Sequence, residues 1–265
     1  MIEKKDRPME TKNLRTGKSE AIIIIKAAPQ VGDRHGETVC CAAIDIYGNW
    51  LRLYPINFRA LKDDQKFTRW DRVAFRWRLP KSDPRIESRR VEQDSIKIIG
   101  KLKKSERQSF LSNLIVDSLK IQRTHRKSLA LIRPRIIGFS FTKKNSTQIE
   151  KESREFEDVN KQIDMFNTNP DEPYKPCPYD FQYKYEIKDG VRTGTCQDWE
   201  IQATFFKWSN LYGEKDALEK IVARFGEDLP KEGMLLAMGT HSLYPDTWLI
   251  NAIIRLDEIT QPSLF

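Results

Sequence analysis

The segment from Arg72 to Leu79 alternates between basic and apolar side chains with a period of two. Its apolar members are Val73, Phe75, Trp77 and Leu79, and its basic members are Arg72, Arg76 and Arg78. Because successive side chains of a β-strand point to opposite faces, this spacing predicts a half-buried strand with a row of guanidinium groups on its outer face. A β-structure with one basic surface is therefore the first constraint on the fold.

More basic residues follow this strand and precede it in a predicted hairpin. A surface that tracks a phosphate backbone needs such residues close together. The predicted nucleic-acid-binding set is Arg52, Arg72, Arg76, Arg78, Arg85, Arg89, Arg90 and Lys97. Tyr54, Trp70 and Trp77 are candidates for stacking on bases. For each of the three aromatic residues, a place in the core is the favoured interpretation, since aromatic side chains on strands usually pack there.

The net charge of +8 is distributed unevenly along the chain. Residues 1–142 contain 31 Lys and Arg against 16 Asp and Glu, a formal charge of +15, whereas residues 143–265 carry −7. A strongly basic half joined to an acidic half indicates a polyanion-binding surface on the first half. A generally basic, solvated face is the alternative.

Four cysteines lie at positions 40, 41, 177 and 196, and no two of them have Cys-x-x-Cys spacing. They are predicted to be reduced thiols in a cytoplasmic protein. A metal shared by Cys177 and Cys196, joined by His241, is the less favoured alternative, and no metal ligand is assigned.

No window approaches eighteen uninterrupted apolar residues, so no membrane span is predicted. Residues 1–20 are charged and lack the apolar centre of a signal peptide, and we expect them to form a flexible tail. The remaining pattern predicts an α+β fold. Residues 21–142 are expected to form a basic, β-rich domain, a small barrel or curled sheet with one long helix from Ser105 to about Arg126.

The second half is predicted to be smaller and mixed. Residues 143–178 are rich in Lys, Glu, Asn and Ser and then in Pro, which is typical of an exposed connector. Residues 179–258 are expected to form an acidic α+β domain, and residues 259–265 a C-terminal tail.

No strong catalytic signature is present, such as a phosphate-binding glycine loop or a zinc-binding His-Glu-x-x-His helix. Asp198 and Glu200, at a predicted helix start, are candidates for a general acid/base or metal-binding pair. A nuclease could use Mg²⁺, and a glycosylase would need no cofactor. The favoured alternative is that Asp198 caps the helix and Glu200 faces solvent, because acids two residues apart do not face each other on a helix.

A second pair of catalytic candidates, His241 and Asp246, lies in a polar loop between two apolar strands. Loops on a rigid scaffold often bear function, and histidine titrates near neutral pH. A role in stabilising the turn is an equally good interpretation.

Two five-residue segments share one pattern: Gln, any residue, a small acidic or hydroxyl residue, a long aliphatic residue, then Phe. They are Gln162-Ile163-Asp164-Met165-Phe166 and Gln261-Pro262-Ser263-Leu264-Phe265. Both resemble the peptide by which bacterial DNA polymerases, mismatch-repair proteins and replication regulators bind the sliding clamp. The resemblance implies that the Met165-Phe166 and Leu264-Phe265 pairs enter a hydrophobic groove, with Gln162 and Gln261 at its rim.

Both segments depart from the commonest form of this peptide. Pro262 replaces an aliphatic residue and Met165 replaces Leu, so we expect weaker binding by the second segment. The pieces Gly36–Cys40 and Trp50–Pro55 resemble only uncharacterised bacterial proteins, which transfers no function.

Together these features predict a bacterial DNA-binding protein that processes or surveys DNA and is recruited through the sliding clamp. A base-excising glycosylase or a nuclease in repair or antiphage defence is the enzymatic form of this hypothesis. The alternative is a non-catalytic RNA- or DNA-binding module with a structural acidic domain.

Overall fold

The computed structural model describes residues 15–28, 30–32, 36–58, 60–164, 175–241 and 244–255. The strands are β1 (Thr16–Lys26), β2 (Gln30–Gly32), β3 (Gly36–Asp45), β4 (Trp50–Ile56), β5 (Asp71–Arg78), β6 (Ser88–Val91), β7 (Lys97–Lys101), β8 (Leu129–Ile132), β9 (Arg135–Lys143), β10 (Tyr179–Ile187), β11 (Gly190–Cys196), β12 (Met234–Thr240) and β13 (Trp248–Arg255). The helices are α1 (Lys104–Ser112), α2 (Leu119–Thr124), α3 (Ser146–Asp164), α4 (Trp199–Tyr212), α5 (Glu214–Ile221) and α6 (Leu229–Glu232), and a π-helical segment, Val222–Asp228, joins α5 to α6.

Five N-terminal strands close into a barrel in the order β1-β3-β4-β6-β5, and β5 returns to pair with β1. The pairing of β4 with β6 is parallel, and the other four pairings are antiparallel. A closed five-stranded barrel with this order and one parallel closure has the topology of an OB-fold. The prediction of an α+β protein with a barrel-like N-terminal part is confirmed.

The alternation in β5 is also confirmed. Val73 and Phe75 are buried inside the barrel, while Arg72, Arg76 and Arg78 are exposed. Leu79, the last member of the apolar row, lies just beyond the strand and is 46% exposed, because the strand ends at Arg78.

The isoleucine run of β1 is buried on both of its faces. Ile23 points into the barrel, whereas Ile22 and Ile24 pack against the second sheet. A strand covered on two sides has no solvent face, which is why this segment is continuously apolar rather than alternating.

The second sheet has six strands in the order β8-β12-β13-β11-β10-β9. One face packs on α4 and α5 through a core that includes Tyr183, Ile201 and Phe205. The other face packs on the barrel, where Leu131, Leu235 and Ile254 meet the apolar residues of β1 and β3. The barrel and the second sheet therefore share one hydrophobic layer.

This topology corrects the predicted division at residue 142. Strands β8 and β9 belong to the second sheet, although the sequence placed them with the N-terminal domain. The predicted helix from Ser105 to Arg126 is also divided into α1 and α2. Ile115 forms a bridge with Leu131 and Val116 donates to the Leu131 carbonyl, so pairing with β8 competes with helical hydrogen bonds between the two helices.

The predicted connector, residues 143–178, contains the 19-residue helix α3. Its exposed face has ion pairs at helical spacing, Lys151 with Glu155 and Arg154 with Glu150, and Phe156 is buried. Spaced opposite charges stabilise a helix despite a composition typical of disorder. Within the described residues, no helix is long and apolar enough to cross a membrane.

Candidate functional site

Asp198 immediately precedes α4, and its carboxylate accepts hydrogen bonds from Glu200, Ile253 and Arg69. Oδ1 accepts from the Glu200 amide at 2.8 Å, and Oδ2 accepts from the Ile253 amide at 2.6 Å and from Arg69 Nη2 at 3.5 Å. The residue is 1% exposed. These contacts make Asp198 the N-cap of α4 and attach that helix to β13 and to the barrel.

Glu200 shares the same arginine. Its Oε1 lies 3.3 Å from Arg69 Nη2, and Arg69 Nη1 donates to the Ile253 carbonyl at 2.8 Å. The two predicted catalytic acids are thus brought together by a structural cation. In the portion of the chain that the structure describes, no group of three or more His, Cys, Asp and Glu side chains is arranged to hold a metal ion.

His241 and Asp246, the other predicted catalytic pair, have different partners. Asp246 is exposed and accepts from Arg123 Nε at 2.6 Å. His241 Nδ1 accepts from the Tyr244 amide at 3.2 Å, so the proton of the neutral ring resides on Nε2. His241 is held by its turn, and it also borders the cleft described next.

A cleft of about 360 Å³ lies where the barrel meets the second sheet. Its barrel side comes from β3, β4, β6 and the segment before β6, and its other side from the ends of β11, β12 and β13. The principal polar and aromatic lining residues are Cys40, Arg52, Tyr54, Asp83, Arg85, Arg89, Arg90, His241 and Asn251. Among the lining residues, four arginines outnumber the single carboxylate of Asp83, so the lining carries a net positive charge.

The cleft thus collects Arg52, Arg85, Arg89 and Arg90 from the predicted nucleic-acid-binding set. The remaining members, Arg72, Arg76, Arg78 and Lys97, lie on β5 and β7. Arg76 and Lys97 border a larger depression of about 530 Å³, which also contains Glu20, Asp45 and Asp94. Because Arg72 and Arg76 are paired with Glu20 and Glu92, positive charge is mostly balanced there.

The arginines of the cleft are fixed in different ways. Arg85 makes a bidentate pair with Asp83, Nε to Oδ1 at 2.8 Å and Nη2 to Oδ2 at 2.7 Å, and donates from Nη1 to the Thr240 carbonyl at 3.2 Å. Burial raises the pKa of Asp83, but hydrogen bonds from Arg85 and Ser88 outweigh it and leave that pKa below its usual value. This pair therefore holds the segment before β6 against the second sheet.

Arg89 contacts an aromatic ring and two carbonyl groups. Its guanidinium lies 4.6 Å from the centre of the Trp77 ring, and Nη1 donates to the carbonyls of Ile86 and Ser88 at 2.9 Å. Within the described ranges it makes no ion pair with a carboxylate. Burial lowers the pKa of Arg89, but the guanidinium stays charged at neutral pH. An anion entering the cleft would pair with the guanidinium group of Arg89.

A buried polar network forms the floor of the cleft. Arg52, 3% exposed, donates from Nη2 to the carbonyl and hydroxyl oxygens of Ser128 at 3.1 and 3.3 Å, and from Nη1 to Cys40 Sγ at 3.4 Å. Glu87 accepts two hydrogen bonds from Ser128, and the Ser128 carbonyl also accepts from the Thr240 amide. Charged groups are rarely buried unless paired, so this network fixes the geometry of the cleft.

Of the three aromatic candidates, Trp70 is buried in the core and Trp77 is partly buried, with its indole N–H donated to Ser19 Oγ at 2.8 Å. Tyr54 is 37% exposed and borders the cleft. Asn251 and Cys40 were not predicted as site residues. Neither lies in a recognisable motif, and only the fold brings them together.

Two family models match the chain. The first, Domain of unknown function (DUF8758), covers residues 17–115, and the second, Domain of unknown function (DUF8757), covers residues 114–265. The second model spans more than half of the chain. The chain belongs to the DUF8757 family.

The boundary between the DUF8758 and DUF8757 matches falls at Leu114–Ile115, just before the chain enters the second sheet at the Ile115–Leu131 bridge. The barrel thus corresponds to the first model and the second sheet to the second. No curated protein matches the chain. A solved structure described as a replication protein A heterotrimer bound to ssDNA is similar over 93% of this chain, with 10% identity and a TM-score of 0.33, and the chain spans 52% of its length.

Proposed function

We propose that this protein binds a single strand of nucleic acid in the cleft between its barrel and its second sheet. The observation that supports the proposal is the coincidence of a cationic cleft with one face of the barrel. In OB-type barrels, oligonucleotides bind across the second and third strands and the loops joining strands one to two and four to five. The equivalent elements here are β3, β4, the connection after β1 and the segment 79–87, and all of them border the cleft.

The composition of the cleft supports a single strand rather than a duplex. Proteins that bind single strands combine a cationic groove with exposed aromatic rings on which bases stack. Arg89 and Arg90 supply cationic groups and Tyr54 supplies the ring. A volume of about 360 Å³ suits one unstacked nucleotide, which a single strand presents more readily than a stacked double helix does.

The salt dependence of binding tests this proposal. Affinity of the intact protein for a twelve-residue oligothymidylate, measured by fluorescence anisotropy, should fall steeply as salt increases, because phosphate contacts release counterions. Arg89→Gln should weaken binding and reduce the salt slope by about one. Arg72→Gln is the matched control, since Arg72 is paired with Glu20 outside the cleft.

A flat salt response, or equal losses in the two variants, would contradict binding in this cleft. Duplex DNA of the same length serves as the comparison ligand. Stronger binding to the duplex would contradict the single-strand part of the proposal.

Processing or surveillance of DNA, and recruitment by the sliding clamp, stay predictions of the sequence. The hydrogen bonds of Asp198 favour its structural interpretation, and His241 is the predicted catalytic residue that borders the cleft. Incubation with modified and unmodified DNA, with and without Mg²⁺, separates the two enzymatic forms. Strand breaks that require Mg²⁺ indicate a nuclease, abasic sites indicate a glycosylase, and neither product indicates a binding module.

A further inference from the structure

The side-chain amide of Asn251 is buried and makes no hydrogen bond to the part of the chain that the structure describes. The residue borders the cleft and is 7% exposed. Both polar atoms of the amide are accessible from the open space of the cleft. An amide whose donor and acceptor are both unused by the protein and accessible from a cleft can pair with a ligand that offers one acceptor and one donor.

An irregularity in the pairing of β12 with β13 positions this amide. The register between β12 and β13 shifts there: Ala237 pairs with Ala252 and Met238 with Ile250, which leaves Asn251 as the extra residue of a β-bulge. Bulges often re-aim a side chain next to a functional site. Asn251 is the one polar residue in the otherwise apolar run from Leu249 to Ile254. Its neighbours Ile250, Ala252, Ile253 and Ile254 are core residues.

Gly239, on the neighbouring strand, leaves room for the amide. A Cβ atom at this position would lie 2.2 Å from Asn251 Nδ2 and 3.5 Å from Arg52 Nη2. Any side chain would displace the amide, so the glycine permits the close approach. The same distances place Asn251 beside Arg52, on the floor of the cleft. Leu249 and Tyr54 add apolar and aromatic surface around this point.

We propose that the cleft receives one unstacked adenine and that Asn251 reads its edge. This inference rests on the proposed binding of a single strand. An amide offers one donor and one acceptor side by side, which complements the adenine N6 amino group and N7 and not the two acceptors of guanine on that edge. The arginines around the opening contact the flanking phosphates, and Tyr54 stacks on the base.

The test uses the intact protein and a twelve-residue oligothymidylate with one central residue replaced by dA, dG, dC or 7-deaza-adenine. The wild-type protein should bind the dA strand about fivefold or more tightly than the dG strand. The 7-deaza strand should lose that advantage, because it lacks the N7 acceptor but keeps the ring. Asn251→Ala should bind all four strands with similar affinity, whereas the exposed control Gln108→Ala should keep the preference.

The outcomes distinguish the proposed binding of a single strand from the proposed reading of adenine by Asn251. Equal wild-type affinities for the four strands would overturn base reading while leaving single-strand binding intact. A dA preference that survives in folded Asn251→Ala would show that another group reads the base. Absence of binding to every strand would overturn the proposed function and this inference together. The 7-deaza comparison needs no protein variant, so equal binding of the dA and 7-deaza strands would overturn reading of the N7 edge even if Asn251→Ala does not fold; Asn251→Asp, which keeps the size of the side chain but loses its donor to N7, should then also lose the dA preference.

Discussion

Ser128 donates both its backbone amide and its hydroxyl to the Glu87 carboxylate, each at 2.9 Å, across the junction between the barrel and the second sheet. Glu87 and Ser128 are 3% and 4% exposed. Arg52 completes the arrangement, since its Nη2 donates to Ser128 and its amide donates to the Glu87 carbonyl at 2.8 Å. Glu87 on the barrel side and Ser128 on the side of the second sheet therefore join the two parts at the floor of the cleft.

Replacing the central carboxylate tests this arrangement. Glu87→Gln keeps the shape but removes the charge and leaves one of the two Ser128 donors without a proper acceptor. We expect the free energy of unfolding to fall by about 1–3 kcal/mol, the cost of an unsatisfied buried polar group. Urea denaturation gives the value. Glu92→Gln is the control, because Glu92 is half exposed in its pair with Arg76 and should cost less than about 1 kcal/mol.

A second prediction distinguishes the structural interpretation of Asp198 from the catalytic one. Asp198→Ala removes the N-cap of α4, leaves the Ile253 amide without its acceptor and takes one carboxylate from Arg69, so the free energy of unfolding should fall by on the order of 3 kcal/mol. Asp198→Asn keeps a capping oxygen and should cost less. The exposed control Asp246→Ala should be nearly neutral. An Asp198→Asn variant of unchanged stability that has lost a DNA-processing activity would instead support catalysis.

The barrel was predictable because its signals are local. Strand β5 alternates, β1 is an isoleucine run, and Gly48-Asn49 marks the turn between β3 and β4, where Gly48 has a φ of +83°. Each of these patterns identifies one strand or turn from neighbouring residues alone. The cap of α4 was equally local, since Asp198 precedes the helix by one residue.

Long-range pairing could not be read in the same way. Strand β8 joins β12 more than a hundred residues later, and nothing in Leu129–Ile132 distinguishes this partner from a strand of the barrel. The cleft also depends on long-range pairing, because its lining residues are far apart in the sequence. Asn251 has no motif around it, and it becomes a site residue only because a bulge in β13 places it beside Arg52.

Lys26 provides a pH-dependent prediction. Its Nζ lies 3.3 Å from the centre of the Phe58 ring and 4.3 Å from that of Trp199, and burial lowers its pKa to about 8. Between pH 8 and about 10.4 the unfolded chain then binds a proton at this site that the folded protein does not. The contribution of Lys26 to the free energy of unfolding should therefore rise with pH across this window.

Other lysines and tyrosines titrate in the same range, so the difference between wild type and Lys26→Met is the quantity to measure. Thermal unfolding at pH 7.5 and pH 10 provides it. The variant should gain less stability than the wild type over this interval. Parallel changes in the two proteins would show that the pKa of Lys26 is not lowered.

Clamp binding is a prediction of the sequence alone. Met165, Phe166 and the segment 261–265 lie outside the described residues, and the side chain of Gln162 is likewise not described. If both motifs bind, the double variant Phe166→Ala, Phe265→Ala should bind a purified bacterial sliding clamp at least about tenfold more weakly, since both hydrophobic anchors are lost. Leu211→Ala is the control, because Leu211 is a 61% exposed apolar residue outside the motifs. Unchanged affinity of the double variant would rule out recruitment by these segments.

The four cysteines give a direct probe of the cleft. Burial raises the pKa of Cys177 to about 11 and also raises those of Cys41 and Cys196, whereas Cys40 is half-buried and borders the cleft. Because thiolates are the reactive species, iodoacetamide at pH 8 should modify Cys40 first in the native protein. Mass spectrometry of the alkylated peptides identifies the site, and Cys40→Ser should lose the fast phase.

Occupancy of the cleft should protect this thiol. A saturating single-stranded oligonucleotide places phosphate and base near Cys40 and should slow its alkylation, while modification of the denatured protein at all four cysteines stays the same. If bound oligonucleotide leaves the Cys40 rate unchanged, the strand lies elsewhere on the barrel. In that case the exposed basic row of β5, with Arg72, Arg76 and Arg78, becomes the surface to vary next, because its guanidinium groups lie outside the cleft.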